Sequence, residues 1–254
     1  MNPKGSEGSP PAEHLPGNVG GAMRIGDRVH RDTGPWTPAV HALLDYLGSR
    51  IGNVPNVHGL DSSGPEVLAY LPGEVIDLDT EILSVRRLAS VVTWTRRFHE
   101  AAAGFSHPGP WRYFALPDPT FIGHNDLGPY NMCFHGQTLA GVFDWDLAGP
   151  TNALNELAFL AWNCVPLWTP QSPDVVATRL QTIADAYSGP TASEILDAVP
   201  RRIEVMIGGI PEAAAAGDRG MQSLMRIGEP ERSARSLDAL MSRMPEVRRE
   251  LGRV

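Results

Sequence analysis

Lysine is almost missing from this chain. Of its 21 lysine and arginine residues, Lys4 is the only lysine, and it sits in a start rich in proline, glycine and serine. A phosphate-binding loop of the GxxxxGK[ST] type is therefore excluded. Any phosphate-holding cation in the folded part has to be arginine or histidine. Cysteine is equally scarce. Cys133 and Cys164 cannot build a disulfide framework and read as reduced thiols of a cytoplasmic protein. No Cys or His pair has the spacing of a zinc finger. No apolar run approaches the roughly 18 residues that span a bilayer, and the first residues carry no apolar stretch, so neither a membrane partner nor a secretory signal is expected. Excess positive charge is absent too. A net charge of −8 argues against nucleic-acid binding by phosphate neutralisation and is compatible with a cationic small substrate.

What is present is a globular composition over 254 residues, 42% hydrophobic and 20% charged. Residues 1–16 read as a disordered tail. Ala22 to Ile25 and Arg28 to Arg31 flank Gly26-Asp27 as a β-hairpin, entered through the glycines at 17–21. Thr37 or Pro38 opens a helix whose apolar face is Val40, Leu43, Leu44 and Leu47. Strands are expected at Val54–His58 and Glu66–Leu71, and a long helix from Asp79 to Ala103. A loop rich in proline leads to a short apolar segment at 120–123 and a polar loop at 124–130. Two strands joined at Gly136 follow. From Asn152 onward the pattern is helical, with helices near 152–164, 173–187, 191–199, 200–215, 218–227 and 230–251. Pro200 is placed in a first helical turn and Pro211 at a break or kink. The resulting order is a small β-rich lobe at 17–72 and a larger helical lobe at 73–254.

The chemistry concentrates in His124-Asn125-Asp126-Leu127-Gly128-Pro129-Tyr130-Asn131 and in Gly141-Val142-Phe143-Asp144-Trp145-Asp146. A hairpin between Asn131 and Asp144 returns both to one neighbourhood. A carboxylate and an amide carbonyl suit a hard cation such as Mg²⁺. A second carboxylate, Asp126, suits the orientation of an attacking hydroxyl and acceptance of its proton.

This HxDxxxxN pattern, followed by an apolar strand and Asp-Trp-Asp, resembles the catalytic core of the aminoglycoside phosphotransferase and choline kinase-like family. The resemblance covers roughly residues 17–250 and is strongest from 121 to 163. It implies an α+β, two-lobed protein-kinase-like fold with a short β-rich N-terminal lobe and a larger, mainly helical C-terminal lobe. It also implies a cytoplasmic small-molecule O-phosphotransferase that uses Mg²⁺ and ATP or GTP. A role in antibiotic inactivation or self-resistance, against aminoglycosides or nucleoside antibiotics, is consistent with it. The partners are then a small-molecule hydroxyl substrate and a nucleotide, in a monomer or homodimer.

By resemblance, Asp126 is the catalytic base, Asn131 and Asp144 are the metal ligands, and His124 anchors the loop. Tyr70 and Leu71 form the linker that meets the purine, and Gly20 and Gly21 belong to a shortened phosphate-covering loop. Asp146 reads as a substrate or second-metal contact or a helix cap. Glu156 reads as such a contact or as a buttress of the catalytic loop. The family's phosphate-binding lysine has no counterpart, and Arg31 is the candidate replacement, with His30 second. No glutamate occurs between Glu13 and Glu66, so the usual lysine–glutamate pair is absent or rebuilt from a helix that offers His41 and Asp45. The missing pair keeps a second expectation open, a non-catalytic binding or immunity protein on the same fold.

Overall fold

The computed structural model describes residues 12–15, 21–77, 81–112 and 116–253. Gly26, in the left-handed region at φ 65°, makes the tight turn between β2 (Ala22–Ile25) and β3 (Arg28–Arg31). A further strand, β1 (Ala12–Leu15), pairs antiparallel with β2. Residues 12–15 were expected in a disordered tail. Instead they satisfy the outer edge of β2, and the remainder of that tail, 1–11 and 16, lies outside the described residues.

Helix α1 (Thr37–Gly48) starts with Pro38 in its first turn and buries Val40, Leu43, Leu44 and Leu47. That is the i, i+3, i+4, i+7 stripe of an amphipathic helix. Strand β4 (Val57–Leu60) begins later than the expected Val54, because Val54 and Pro55 enter the core and Pro55 has no N–H to give a ladder. Strand β5 (Glu66–Ala69) stops short of Leu71, although the Tyr70 amide still donates to the Asp27 carbonyl at 2.8 Å, one step beyond the Arg28–Ala69 pair. The sheet order is β1-β2-β3-β5-β4, all antiparallel.

The chain then passes through Leu71-Pro72-Gly73. Gly73 has φ 155°, and a Cβ there would lie 3.0 Å from Cys133 Cβ and from the Phe134 backbone. Helix α2 (Val85–Ala102) is shorter than the expected 79–103. The Ser84 side chain accepts from the Arg87 amide and sets its start, while Asp79 lies outside the described residues. Strand β6 (Phe121–Gly123) pairs with β9 (Gly149–Thr151), and β7 (Met132–His135) with β8 (Thr138–Val142) about Gly136 at φ 60°.

The helical remainder is α3 (Ala153–Cys164), α4 (Pro173–Tyr187), α5 (Ala192–Ala215), α6 (Arg219–Arg226) and α7 (Glu231–Leu251). Where two helices meeting at Pro200 were expected, α5 runs unbroken through both Pro200 and Pro211. Ile195, Leu196, Val199 and Ile203 lie on either side of Pro200 and are all fully buried. Continuous packing of this stripe offsets the lost backbone hydrogen bond. The fold is thus the expected α+β arrangement, with a β-sheet N-terminal region and a mainly helical C-terminal region. No described helix is long and apolar enough to cross a membrane.

The core reaches directly under the β7–β8 hairpin. Phe98 of α2 is fully buried, stacks on Trp94 at 5.3 Å and meets Trp145 edge-on at 5.2 Å. Trp145 separates the two aspartates of Asp-Trp-Asp, and its indole N–H donates to the Val142 carbonyl at 3.0 Å. The aromatic cluster therefore sets where Asp144 and Asp146 point. Phe98→Ala should cost about 3–5 kcal/mol through the cavity it leaves, read as a lowered midpoint in urea unfolding. An unchanged midpoint would show that the cluster carries little of the stability.

Candidate active site

The loop that carries Asp126 runs from the end of β6 into β7, through a 3-10 turn at Pro129–Asn131. It is polar backbone laid inside an apolar core, and several of its groups are met by specific partners. Glu156 of α3 is 1% exposed and accepts the amides of His124 at 3.0 Å and Asn125 at 2.6 Å. Asn125 sits at φ 62°, and its side-chain amide reaches the carbonyls of Leu147 and Gly149, each at 3.2 Å. The Asn125 carbonyl accepts from Arg202 of α5 at 2.8 Å. His124 Nδ1 accepts from the Asp126 amide at 3.2 Å, and Nε2 lies 3.1 Å from the Phe143 carbonyl. One neutral tautomer, protonated on Nε2, makes both bonds, and burial holds this imidazole below its usual pKa. His124 thereby ties the loop to the residue before Asp144.

Asn131 and Asp144 come together because the Phe143 amide donates to the Asn131 carbonyl at 3.0 Å, continuing the β7–β8 ladder past its end. Asp144 has φ 60°, an uncommon conformation for a non-glycine residue. Together with Asn125 it places two such residues at one site, where stored backbone strain tends to gather. The Asn131 side-chain amide donates to the Asp126 carbonyl at 3.0 Å and to Asp126 Oδ2 at 2.9 Å, so Asp126 fixes which way the Asn131 amide faces. Tyr130 donates to Asp126 Oδ1 at 2.7 Å. Burial pushes the Asp126 carboxyl up to about 7; the Tyr130 and Asn131 hydrogen bonds oppose this and the Asp144 charge adds to it.

Arg31, the last residue of β3, reaches Asp144 from the sheet. Its guanidinium is 2.8 Å from Asp144 Oδ1, 3.0 Å from Asp146 Oδ2 and 3.8 Å from Glu66 Oε1. Burial alone would lower its pKa, and the three carboxylates raise it instead. Glu66 lies opposite Arg31 on β5 and bonds His41 of α1 at 2.8 Å. The pair between strand and helix is therefore rebuilt as Arg31–Glu66–His41, with the acid on a strand and the helix contributing a histidine. His30, the second candidate, faces elsewhere, 3.3 Å from Asp61.

Asp146 lies between Arg31 and Arg112, the latter at 3.2 Å. Burial raises its carboxyl and the two guanidiniums oppose that. Both Glu156 carboxylate oxygens bind loop backbone, so it buttresses the loop and does not face the cleft as a substrate or second-metal contact. The Tyr70 amide is given to Asp27, and the Tyr70 ring lies under Arg24 at 3.7 Å, so this residue cannot offer its N–H to a purine as placed. Leu71 packs over Gly141, and its carbonyl is 3.6 Å from the Cys133 thiol. Gly21 is exposed at the entry to β2, and Gly20 lies outside the described residues.

Two arginines escaped the sequence reading. Arg112 holds Asp218 through two bonds of 2.8 Å and lies over Trp36 at 4.5 Å, in a loop with no periodicity to signal it. Arg202 carried a readable signal, a charge within the apolar stripe of Ile195, Leu196, Val199 and Ile203.

Among the described residues no group of three or more His, Cys, Asp or Glu could hold a metal by itself. A magnesium ion shared with nucleotide phosphates asks less of the protein, one or two oxygen side chains. Asn131 and Asp144 meet that donor set, and the Asp144 side chain is 43% exposed toward the cleft.

Residues 111–191 match the model of a family described as a phosphotransferase enzyme family. A trifolitoxin immunity protein of Rhizobium leguminosarum bv. trifolii is 34% identical over 148 residues, 55% of this chain and 56% of that protein. The chain thus spans about half the length of this curated relative. Among solved structures, the amicoumacin kinase hAmiN in complex with AMP-PNP, Ca²⁺ and Ami superposes with a TM-score of 0.65 at 13% identity, over 92% of this chain and 88% of that one. A choline/ethanolamine kinase family protein from Mesorhizobium loti gives 0.60 at 19% identity, over 97% and 93%. The resemblance first carried by His124 to Asp146 therefore extends to a family model over the core segment and to the fold over nearly the whole chain.

Burial alone would raise the Glu156 carboxyl; the facing His99 and the loop amide of Asn125 hold it below the usual range. A carboxylate lowered in the folded state contributes stability that is full above the ordinary glutamate pKa and is lost as pH falls. Glu156→Gln turns an NH₂ group toward one of the two loop amides and leaves that amide unpaired. The melting temperature at pH 7 should drop by about 4–8 °C, and the acid limb of the stability curve should flatten. A variant with the wild-type melting temperature and acid limb would show that the loop does not depend on this carboxylate.

Proposed function

We propose that this chain is a small-molecule O-phosphotransferase that moves the γ-phosphoryl group of magnesium-bound ATP or GTP to a substrate hydroxyl. The observation that carries the reading is the meeting of Asp126, Asn131 and Asp144 in one cleft opposite Arg31. Residues 17–72 are then the nucleotide lobe, and 73–254 hold the catalytic loop and the acceptor site. Magnesium at Asn131 and Asp144 would neutralise charge on the phosphate oxygens. Arg31 exchanges Asp144 and Asp146 for those oxygens while Glu66 and His41 keep its stem in place. Asp126 orients the acceptor hydroxyl and takes its proton, so catalysis is chiefly positioning and electrostatic. The antibiotic kinase among the structural neighbours and the immunity protein among the relatives support antibiotic inactivation or self-protection as its setting.

A second reading is a non-catalytic immunity protein on this fold. It is favoured by the name of the 34% identical relative and by Arg31, which already pairs with the proposed metal ligand Asp144. The two readings separate in one assay. The protein is incubated with Mg·ATP or Mg·GTP and a panel of aminoglycosides, nucleoside antibiotics and other hydroxyl compounds, and mass spectrometry follows the gain of one phosphoryl group.

The phosphotransferase reading expects a product with the wild type and at least a ~100-fold loss with Asp126→Asn or Asp144→Ala. Tight binding of an antibiotic with no nucleotide requirement and no product would establish the second reading.

A further inference from the structure

Tyr130 has no part in the chemistry described so far, yet its hydroxyl donates to Asp126 Oδ1 at 2.7 Å. A phosphoryl acceptor must make that same bond to the base. The other oxygen, Oδ2, accepts from the buried Asn131 at 2.9 Å, so Oδ1, held by the exposed Tyr130, is the oxygen an acceptor arriving from solvent meets. Resting on the reading of the chain as a phosphotransferase, we propose that Tyr130 holds the place of the acceptor hydroxyl and keeps water off Asp126. It would then determine the enzyme's specificity for acceptor over water.

The seat of the ring is built for it. A Cβ at Gly128 would lie 2.4 Å from Tyr130 Cε1 and Cζ and 2.8 Å from its hydroxyl, so only glycine lets the phenol fold back over the loop. The loop's other contacts, through His124, Asn125 and Glu156, are buried, whereas Tyr130 is 40% exposed. Rotation of its side chain can release Asp126 without disturbing the backbone. In productive transfer the acceptor O–H displaces the phenol and gives its proton to Asp126. Its oxygen bonds to the γ-phosphorus, the bond from that phosphorus to the β-bridging oxygen breaks, and the nucleoside diphosphate leaves. Water in the same place would undergo the same step and waste the nucleotide as inorganic phosphate. The phenol prevents this until an acceptor outcompetes it.

The test uses the full chain, with Mg·ATP and Mg·GTP and no acceptor. Calorimetry measures magnesium-dependent nucleotide binding, and a phosphate assay measures hydrolysis. Tyr130→Phe keeps the ring and removes only the hydroxyl. It should bind nucleotide as the wild type does, hydrolyse it about tenfold faster in kcat with unchanged KM, and lose that gain when Asp126→Ala is added. Without nucleotide, the thermal shifts of Tyr130→Phe and Asp126→Ala should be non-additive, as expected of two groups in contact.

Equal or slower hydrolysis by Tyr130→Phe with intact nucleotide binding overturns the inference and leaves the phosphotransferase reading standing. Additive thermal shifts, or phosphotyrosine at position 130 in the wild type, overturn it as well. A wild type that binds neither nucleotide overturns both.

Discussion

The site depends on one constraint, that polar backbone buried in a core must find partners. The segment from His124 to Asn131 lies where apolar packing would otherwise be continuous, and a single buried carboxylate, Glu156, accepts two of its consecutive amides. Arg202 donates to the Asn125 carbonyl, the Asn125 side chain donates to the carbonyls of Leu147 and Gly149, and His124 bridges the loop to the strand end before Asp144. Each of these groups would be costly alone in a low-dielectric interior. Paired in this way they leave the loop one conformation, and that conformation brings Asp126, Asn131 and Asp144 to one cleft.

Charge is arranged across the cleft by the same economy. With no lysine beyond residue 4, the N-terminal region contributes a guanidinium, whose several donors let Arg31 engage Asp144, Asp146 and Glu66 at once. A single ammonium could not serve three carboxylates so spread. Arg112 continues the alternation from Asp146 to Asp218 at the start of α6. The line Glu66–Arg31–Asp146–Arg112–Asp218 joins the sheet to the helical region through ion pairs that are largely shielded from water, where screening is weak.

Local pattern made much of the fold legible. The β2–β3 hairpin followed from Gly26-Asp27 between alternating runs, α1 from its apolar stripe, and α3, α4 and α7 from their helical pattern. Local pattern misled where long-range packing outweighed it. Pro200 reads as a helix start, yet α5 continues through it. Val54 and Pro55 read as the start of a strand, yet they fill the core. Strands β1 and β9 carry little signal of their own and exist because β2 and β6 need partners.

The candidate site divides along the same line. Spacing within one loop and one hairpin placed Asp126, Asn131 and Asp144 together from sequence, because a hairpin returns its ends to each other whatever surrounds it. Sequence also narrowed the phosphate-holding cation to arginine or histidine. Only the tertiary structure brought Arg31 beside Asp144 and Asp146, paired Glu66 with both Arg31 and His41, and put both Glu156 carboxylate oxygens on the loop amides. His41 and Glu66 are 25 residues apart and Arg31 and Asp144 are 113, and no local pattern encodes which distant charge will be buried beside which. Burial itself makes that choice, since a charge removed from water must be matched by the nearest opposite group the packed chain provides.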